Sequence, residues 1–294
     1  MDVNRTLSDS ECHMITREDE DLPERLKGPL REAKVKKLYY RGDLSLLRTP
    51  MVTVVGSRRY TSYGRAVTEM IGRTLVSNGI TVVSGLATGI DSFAHCSALQ
   101  HQGKTIAVLA TGLGQCYPKS NKGLMERIGS DGLLLTEYEY DQEARKYAFP
   151  ARNRILAALS DAVIVVEATI QSGSLITAGM AAEMGKTVFA VPGNITSSYS
   201  VGTNLLIKDG AVPLFSMNDI LMTLGISSKD EEASLQLGED EKPVYSLIQM
   251  NEGCTADQLV HELRKPIGTV QAILTILEMK GYIMTFAGKI YLAK

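Results

Sequence analysis

The sequence predicts an open α/β fold, doubly wound around a mostly parallel sheet, followed by a small C-terminal winged-helix domain. In the first 225 residues or so, short apolar runs rich in β-branched residues recur. Segments with helical spacing separate these runs, as expected for βα units whose strands are buried on both faces. In the last 50 residues or so, three helical patterns precede a hairpin pattern, which is typical of a winged helix.

The predicted strands follow one another at regular intervals along the first domain. They are Met51–Val55, Ile80–Val83, Thr105–Leu109, Leu133–Thr136, Ala162–Val166 and Thr187–Val191. Helical patterns lie from about Tyr63 to Asn78, from Asp91 to about Gln102, after Ser174, and near Thr203 to Lys208. Because a helical crossover joins strands that run in the same direction, this alternation predicts a parallel sheet.

Composition changes along the chain predict the domain limits. Residues 1–21 include the acidic run Glu18–Asp21 and few large apolar side chains, so a disordered acidic tail is expected there. Residues 22–225 are predicted to form the α/β domain. Residues 226–242 are acidic and poor in large apolar residues, which predicts a linker, and residues 243–294 then form the winged helix.

The totals exclude several classes of protein. No apolar run approaches the roughly 18 residues that cross a bilayer, and the four cysteines include no CxxC pair, so we expect a soluble, cytoplasmic protein without a metal site or disulfides. The net charge of −2 predicts that any nucleic-acid site is a local cluster. Neither a GxGxxG turn nor a GxxxxGK[ST] loop occurs, so no nucleotide cofactor is expected.

Four small, polar, glycine-rich loops follow predicted strands, beginning at Gly56, Ser84, Thr111 and Gln171. The carboxyl ends of parallel strands lie at one edge of a sheet, so we expect these loops to converge on one crevice where the backbone can approach a phosphate. The residues predicted to bind phosphate or single-stranded DNA are Gly56, Ser57, Arg58, Arg59, Ser84, Gly85, Gly89, Lys119, Asn121, Lys122, Phe149, Arg152, Asn153, Arg154, Ser172, Gly173 and Ser174.

The turn Ser172–Ser174 opens a helical segment, where unpaired N–H groups and the helix dipole favour an anion. Arg152 and Arg154 would add fixed charge to that site. The alternative interpretation of this segment is a well-capped helix with a pair of surface arginines.

Aromatic residues lie close in sequence to the basic positions. They are Tyr60, Tyr63, Tyr117, Tyr147 and Phe149. Bases of a single strand stack on such rings for roughly 1–3 kcal/mol each, whereas a duplex keeps its bases stacked on one another. The alternative is that individual rings pack beneath their own loops.

Evidence for catalysis in the sequence is weak. Asp91 and His95 lie four residues apart on one predicted helix, which could orient an imidazole, but a capping carboxylate and a partly buried histidine explain the same spacing. The segment SGSLITAG is not a GxSxG nucleophile elbow. We therefore predict no catalytic residue and no enzymatic activity.

Seven ordered motifs resemble the DprA (Smf) family of bacterial DNA-processing proteins. They are Val54–Arg59, Val83–His95, Thr105–Leu124, Phe149–Ser160, Glu167–Gly179, Val188–Asn194 and Gly202–Ala211. The resemblance implies an extended Rossmann-like fold that binds single-stranded DNA without cleaving it, forms a homodimer, and helps load the RecA recombinase during natural transformation. In the family's terms, Arg58, the region of Lys119, and Arg152 with Arg154 would contact DNA. Many members begin with a separate helical domain. The roughly 50 residues before the first predicted strand here do not suggest such a domain.

Two other functions remain open at this stage. Related Rossmann-like enzymes cleave nucleotides with a PGG-type loop and a glutamate; the loop is missing, although Glu167 or Asp91 could supply a carboxylate. A regulator could instead bind duplex DNA through the winged helix. The third predicted helix of this domain offers Thr269, Gln271 and Lys280 rather than a row of cations, which favours a contact with a protein.

Overall fold

A computed structural model describes residues 12–27, 35–226, 237–251, 253–286 and 288–292. The chain divides into two compact units, Met1–Ser227 and Ser228–Lys294. The first is an open sheet with helices on both faces, and the second is a winged helix. The predicted fold class is confirmed. Among the described residues, no helix has both the length and the apolar character needed to cross a bilayer.

Nine strands form the sheet of the first unit. They are β1 His13–Thr16, β2 Lys37–Gly42, β3 Met51–Val55, β4 Thr81–Ser84, β5 Thr105–Val108, β6 Leu133–Thr136, β7 Ala162–Val165, β8 Thr187–Ala190 and β9 Val212–Pro213. Their order across the sheet is β1-β2-β6-β5-β4-β3-β7-β8-β9. The seven strands β6, β5, β4, β3, β7, β8 and β9 are parallel to one another, and β2 is antiparallel to both β6 and β1.

Eight helices accompany the sheet within the described part of the first unit. They are α1 Glu24–Lys27, α2 Ser62–Ser77, α3 Ile90–Gln100, α4 Lys122–Asp131, α5 Ala148–Leu159, α6 Gly173–Glu183, α7 Val201–Lys208 and α8 Met217–Thr223. Alternate residues of β3 explain the two layers. Met51 and Val55 join the core beneath α5 and α6, whereas Val52 and Val54 join the core beneath α2 and α3. A strand buried on both faces therefore needs a continuous apolar run.

The direction of winding reverses between β3 and β7. The chain runs outward from β3 through β4 and β5 to β6, and then returns to pair β7 with the other side of β3. The loops after these two strands consequently separate, leaving a crevice at the carboxyl edge of the sheet. The reversal between β3 and β7 therefore determines where on the sheet the candidate site lies.

Two predicted boundaries are wrong where the structure describes them. Residues 12–21 do not form a disordered tail, because β1 pairs with β2, Ile15 is buried, and Thr16 donates two hydrogen bonds to Asp19 Oδ2. Asp19, one of the acidic residues that suggested disorder, thus stabilises a turn. Residues 1–11 lie outside the described residues.

The predicted linker 226–242 is also too long at both ends. Ile226 packs against the core of the first unit, and Leu237 packs against that of the second. The helix α9 begins at Glu241, whose carboxylate accepts a hydrogen bond from the backbone N–H of Gly238 at 2.8 Å. Residues 227–236 of the predicted linker lie outside the described residues.

The second unit contains three helices and a two-stranded wing in its described part. They are α9 Glu241–Met250, α10 Ala256–Leu263, α11 Ile267–Met279, β10 Ile283–Phe286 and β11 Lys289–Leu292. The side chains of Thr255 and Gln258 form a capping box, as expected from a threonine at the start of α10. Val244, Leu259, Val270 and Ile290 contribute to the core.

Candidate functional site

A cavity of about 520 Å³ lies at the switch point between β3 and β7. The loop after β3, the loop after β7, the first turns of α5 and the start of α6 line it. The predicted site residues on its wall are Gly56, Ser57, Arg58, Arg59, Phe149, Arg152, Asn153, Ser172, Gly173 and Ser174. Of the four loops predicted to converge, those beginning at Gly56 and Gln171 line this cavity, the one beginning at Ser84 contributes Ala87, and the one beginning at Thr111 does not reach it.

The loop after β3 presents two arginines on a fixed backbone. The N–H of Ser57 donates to the carbonyl of Glu167 at 2.7 Å, and the hydroxyl of Ser57 accepts from the N–H of Arg59 at 3.2 Å. Gly89 packs against the carbonyls of Ser57 and Arg58 with a φ of +82°, where an added Cβ would collide. The side chains of Arg58 and Arg59 are exposed at the cavity.

An aromatic pair flanks Arg58. The guanidinium carbon of Arg58 lies 5.5 Å from the ring centroid of Phe149, and Tyr117 contacts Phe149 edge-on with centroids 5.3 Å apart. These three residues also line a smaller cavity of about 80 Å³ together with Gly85. A cation next to partly exposed rings is an arrangement that binds both parts of a nucleotide, the phosphate and the base.

Arg152 is buried and joins the ends of two strands. Its Nη1 donates to the carbonyl of Gly85 at 2.7 Å and to that of Val108, and its Nε donates to Asn153 Oδ1 at 3.2 Å. Burial lowers the pKa of Arg152 to about 10, although Asp91 opposes this effect. The side chain is 5% exposed. Arg152 therefore stabilises the wall of the cavity from inside.

Asp91 and His95 are buried behind this wall. Asp91 Oδ2 accepts hydrogen bonds from the N–H groups of Gly85 at 3.2 Å and Ala87 at 3.4 Å. Burial raises the pKa of Asp91, against the opposing effect of Arg152. The Nδ1 of His95 shares a hydrogen bond with Thr105 Oγ1 at 2.7 Å, and burial lowers the pKa of His95 to about 3, assisted by Arg152. The structural interpretation of this pair is therefore supported.

The start of α6 forms the opposite wall. The hydroxyl of Ser172 accepts from the N–H of Ser174 at 3.4 Å and caps the helix. Asn153 Nδ2 donates to the carbonyl of Gly173 at 3.3 Å, which ties α5 to α6. Asn153 is buried, so it serves as a spacer between Arg152 and α6. The N-terminal end of the α6 dipole consequently faces the cavity.

Seven predicted site residues do not line the main cavity. Arg154 forms a double ion pair with Glu137 at 2.6 and 2.7 Å, so its charge is neutralised. The hydroxyl of Ser84 is buried and donates to the carbonyl of Val54, and Asn121 donates to Leu86 and Ser92. The others are Gly89, Lys119 and Lys122, and both lysines are exposed. Gly85 lines only the smaller cavity.

Several residues that line the cavity are outside the set predicted to bind phosphate or DNA. They are Ala87, Thr169, Gln171, Thr177, Ser198 and Tyr199, besides the buried Asp91, which was considered only as a carboxylate for catalysis. Thr177 lies one helical turn after Gly173 and Ser174, so helical spacing could have indicated it. Tyr199 follows β8, whose loop was not among the four that were singled out.

Glu167 occupies the N-terminus of α2. Its carboxylate accepts hydrogen bonds from the N–H of Thr61 at 3.0 Å and from the Thr61 hydroxyl at 2.5 Å. Gly64 leaves the space for this carboxylate, because any Cβ there would overlap it. An internal anion thus fills the end of α2, whereas the end of α6 is open to the cavity.

The winged helix presents few unpaired cations at its third helix. Lys280 Nζ lies 2.7 Å from the carboxylate of Glu241, and Glu278 accepts a hydrogen bond from the N–H of Thr285. The side chains of Met279 and Phe286 are 84% and 72% exposed. These features are more typical of a protein contact than of a duplex-binding surface, and the predicted regulatory role stays a prediction.

A doubly wound sheet with arginines, aromatic rings and an open helix N-terminus at its switch point defines a Rossmann-like protein with a candidate site for an anionic ligand. Comparison with protein families identifies the type more closely. Residues 13–225 match the family described as DNA recombination-mediator protein A, and residues 228–289 match the DprA winged helix domain. The chain belongs to this DprA/Smf family, as the motifs predicted.

Individual relatives agree with this assignment. The chain is 50% identical over 184 residues to DNA processing protein DprA of Streptococcus pneumoniae, covering 63% of this chain and 65% of the relative. It is 36% identical over 261 residues to protein Smf of Escherichia coli, covering 85% and 70%. Against the first three curated relatives, the matched region spans 65%, 55% and 63% of their lengths.

Solved structures of two relatives are also similar. The X-ray structure of DprA from Streptococcus pneumoniae matches with a TM-score of 0.68 and 44% identity, over 71% of this chain and 73% of that one. DprA from Helicobacter pylori, whose structure concerns its single-stranded DNA binding mode, matches with a TM-score of 0.63 and 37% identity, over 73% and 95%.

Proposed function

We propose that this protein binds single-stranded DNA in the switch-point crevice, without catalysing its cleavage, and mediates recombination by helping to load a RecA recombinase. The observation that carries the proposal is the contact between the exposed guanidinium of Arg58 and the ring of Phe149. A flexible strand can place a phosphate at the cation and stack a base on the ring, whereas a duplex holds its bases inside.

The charge at the crevice supports an anionic ligand. Arg58 and Arg59 are exposed there, whereas Arg65 and Arg154 already pair with Glu69 and Glu137. Asp91 is the single acid among the described residues lining the cavity, and it lies behind Arg152 with its oxygen engaged by backbone N–H groups. The field at the opening is therefore positive although the whole chain is not basic.

The state of the two candidate carboxylates supports a non-catalytic role over nucleotide cleavage. Glu167 accepts two hydrogen bonds from Thr61 and does not line the cavity, and Asp91 is bound by Gly85 and Ala87. A general base must reach the proton it removes. Release of free base from nucleoside monophosphates, lost on Asp91→Asn or Glu167→Gln, would restore the alternative of a nucleotide-cleaving enzyme.

Fluorescence anisotropy with a labelled oligothymidine and a matched duplex tests DNA binding. We expect the single strand to bind more tightly, and the variant Arg58→Ala/Arg59→Ala to lose more than about tenfold in affinity. Because each phosphate contact to a single strand contributes about 0.7 to the salt slope, that slope should fall by about 1.4 in the double variant. Both side chains are exposed, so the free energy of unfolding should change little.

Arg73→Ala provides the matched control. Arg73 is exposed on α2, about 16 Å along the helix from its crevice end, and should leave both affinity and salt slope unchanged. Duplex binding as tight as single-strand binding, or unchanged binding by the double variant, would reject the crevice as the DNA site.

The proposed recipient of the bound strand is RecA, on the strength of the family's description as a recombination mediator. Wild-type protein should shorten the lag of RecA-dependent ATP hydrolysis on limiting single strand, and the double variant should not. An equal lag with both proteins would remove RecA loading while leaving DNA binding intact. Participation in natural transformation and competence is proposed on the same basis.

A homodimer is the proposed assembly, with a molecular mass measurable by light scattering. Exposed apolar side chains near the β9 edge support it: Val212, Phe215 and Met222 are 42%, 81% and 77% exposed. Large apolar side chains exposed beside an edge strand are candidates for such a contact.

A further inference from the structure

A second aromatic cluster lies beside the crevice but outside its cavity. The ring of Tyr60 contacts that of Phe93 at right angles, with centroids 4.6 Å apart and an interplanar angle of 84°. The guanidinium carbon of Arg65 lies 5.1 Å from the Phe93 centroid. We call Tyr60, Phe93 and Arg65 the outer platform. Its residues line neither the main nor the smaller cavity described above.

The outer platform continues directly from the arginine loop. Tyr60 follows Arg59, and two residues of chain span at most about 7 Å from Arg58. Phe93 lies in the first turn of α3, where its N–H donates to the carbonyl of Gly89 at 3.1 Å. Gly89 in turn packs against the carbonyl of Arg58. A strand held at Arg58 therefore reaches the platform with its neighbouring nucleotide.

The exposure of Tyr60 fits a ligand contact better than a packing role. Tyr60 is 45% exposed, and within the described residues its hydroxyl has no hydrogen-bond partner. Tyr63, in the first turn of α2, instead donates its hydroxyl hydrogen to the carbonyl of Pro192 at 3.0 Å. The Tyr60 ring thus contributes neither its hydroxyl nor full burial to the fold and leaves nearly half of its surface to solvent.

The charge around the outer platform suits a polyanion. Arg59 is exposed on one side and supplies the counter-charge, whereas the guanidinium of Arg65, held by Glu69 at 2.8 Å, extends the stacking surface over Phe93. Arginine planes and aromatic rings together form the stacking surfaces that proteins use for single strands. A purely apolar protein partner would not require these cations.

We propose that the outer platform stacks a base of single-stranded DNA next to the nucleotide held at Arg58, so that the strand leaves the crevice across the first turns of α2 and α3. This inference rests on the proposed function. It assigns a second base-binding subsite with its own residues, and it fixes one direction of the strand's path over the protein.

Length dependence separates the platform from the crevice. For an oligothymidine of about 16 nucleotides, Tyr60→Leu should lose roughly 5- to 150-fold in affinity, the range expected for one stacked base. Tyr60→Phe keeps the ring and should bind like wild type. For thymidine 5′-monophosphate, which can occupy the Arg58 position but has no neighbouring nucleotide to reach the platform, Tyr60→Leu should bind nearly as wild type does.

A fluorescence reporter provides an independent readout. The chain contains no tryptophan, so Tyr60→Trp places a single one on the platform. Its emission should be quenched on saturation with the oligomer and not with thymidine 5′-monophosphate. Unchanged emission with the oligomer, or full affinity of Tyr60→Leu for it, would overturn the platform alone. If wild type binds neither ligand, the proposed function fails and the platform fails with it.

Discussion

The loop after β3 and the start of α5 both bring two arginines toward the switch point, yet they use them in opposite ways. Arg58 is exposed and rests beside Phe149, whereas Arg152 is 5% exposed and donates to the carbonyls of Gly85 and Val108. Arg154 is committed to Glu137. Arginines in a basic sequence motif can therefore either neutralise a ligand's charge or form the hydrogen bonds that hold together the wall around the ligand.

The sharpest test of this division is Arg152→Ala. Removing the guanidinium leaves the carboxylate of Asp91 buried without its compensating charge and leaves two carbonyls unpaired. We expect the free energy of unfolding to fall by about 3–5 kcal/mol, measured by urea titration. An unchanged free energy of unfolding together with lost DNA binding would instead make Arg152 a ligand contact like Arg58.

The pH dependence of stability tests the environment behind the cavity wall through His95, whose pKa is lowered by burial and, to a smaller extent, by Arg152. The folded-state pKa of His95 is lowered to about 3 from its usual 6.5, so the unfolded state binds more protons between these values. The contribution of His95 is complete above pH 6.5 and is lost as the pH falls toward 3, by up to about 1.4 kcal/mol per pH unit.

The measurement compares urea unfolding of wild type and His95→Gln across that range. The difference between the two curves isolates His95, because the carboxylates titrate in both proteins. Parallel curves would mean that the pKa of His95 is the same in the folded and unfolded states, which would contradict the lowering of this pKa by burial and by Arg152.

The smallest effect is expected from Arg154→Ala. Its ion pair with Glu137 is partly exposed, so the free energy of unfolding should fall by less than about 1 kcal/mol and the affinity for oligothymidine should change less than about twofold. Arg152→Ala, two residues away on the same helix, serves as the comparison. A tenfold loss of affinity in Arg154→Ala would return this arginine to the binding surface.

Local sequence patterns determined most of the parallel sheet. Met51–Val55 and Leu133–Thr136 were predicted with their observed limits, because strands buried on both faces need uninterrupted apolar residues. The strands β1 and β2 were not predicted as a pair. Their pairing joins His13 to Tyr40 across a long stretch of sequence, and β1 buries only Ile15 fully, so no local period indicates it.

The site was predicted at the level of its loops rather than of its side chains. Both loops follow predicted parallel strands, so Gly56–Arg59 and Ser172–Ser174 were expected at one crevice, and both segments line the same cavity. The different environments of Arg58, Arg152 and Arg154 were not predictable. A sequence does not show which guanidinium donates to backbone carbonyls, which pairs with Glu137 and which is exposed to solvent.

The internal bonding of the crevice rim has a thermodynamic consequence. The N–H groups of Ser57, Thr61, Gly85 and Ala87 already donate to acceptors within the chain, so the protein has little left to order when a ligand arrives. The entropy lost on association belongs mainly to the ligand. A strand whose bases are stacked on one another must first break that stacking, so its composition will influence affinity even where no base edge is read.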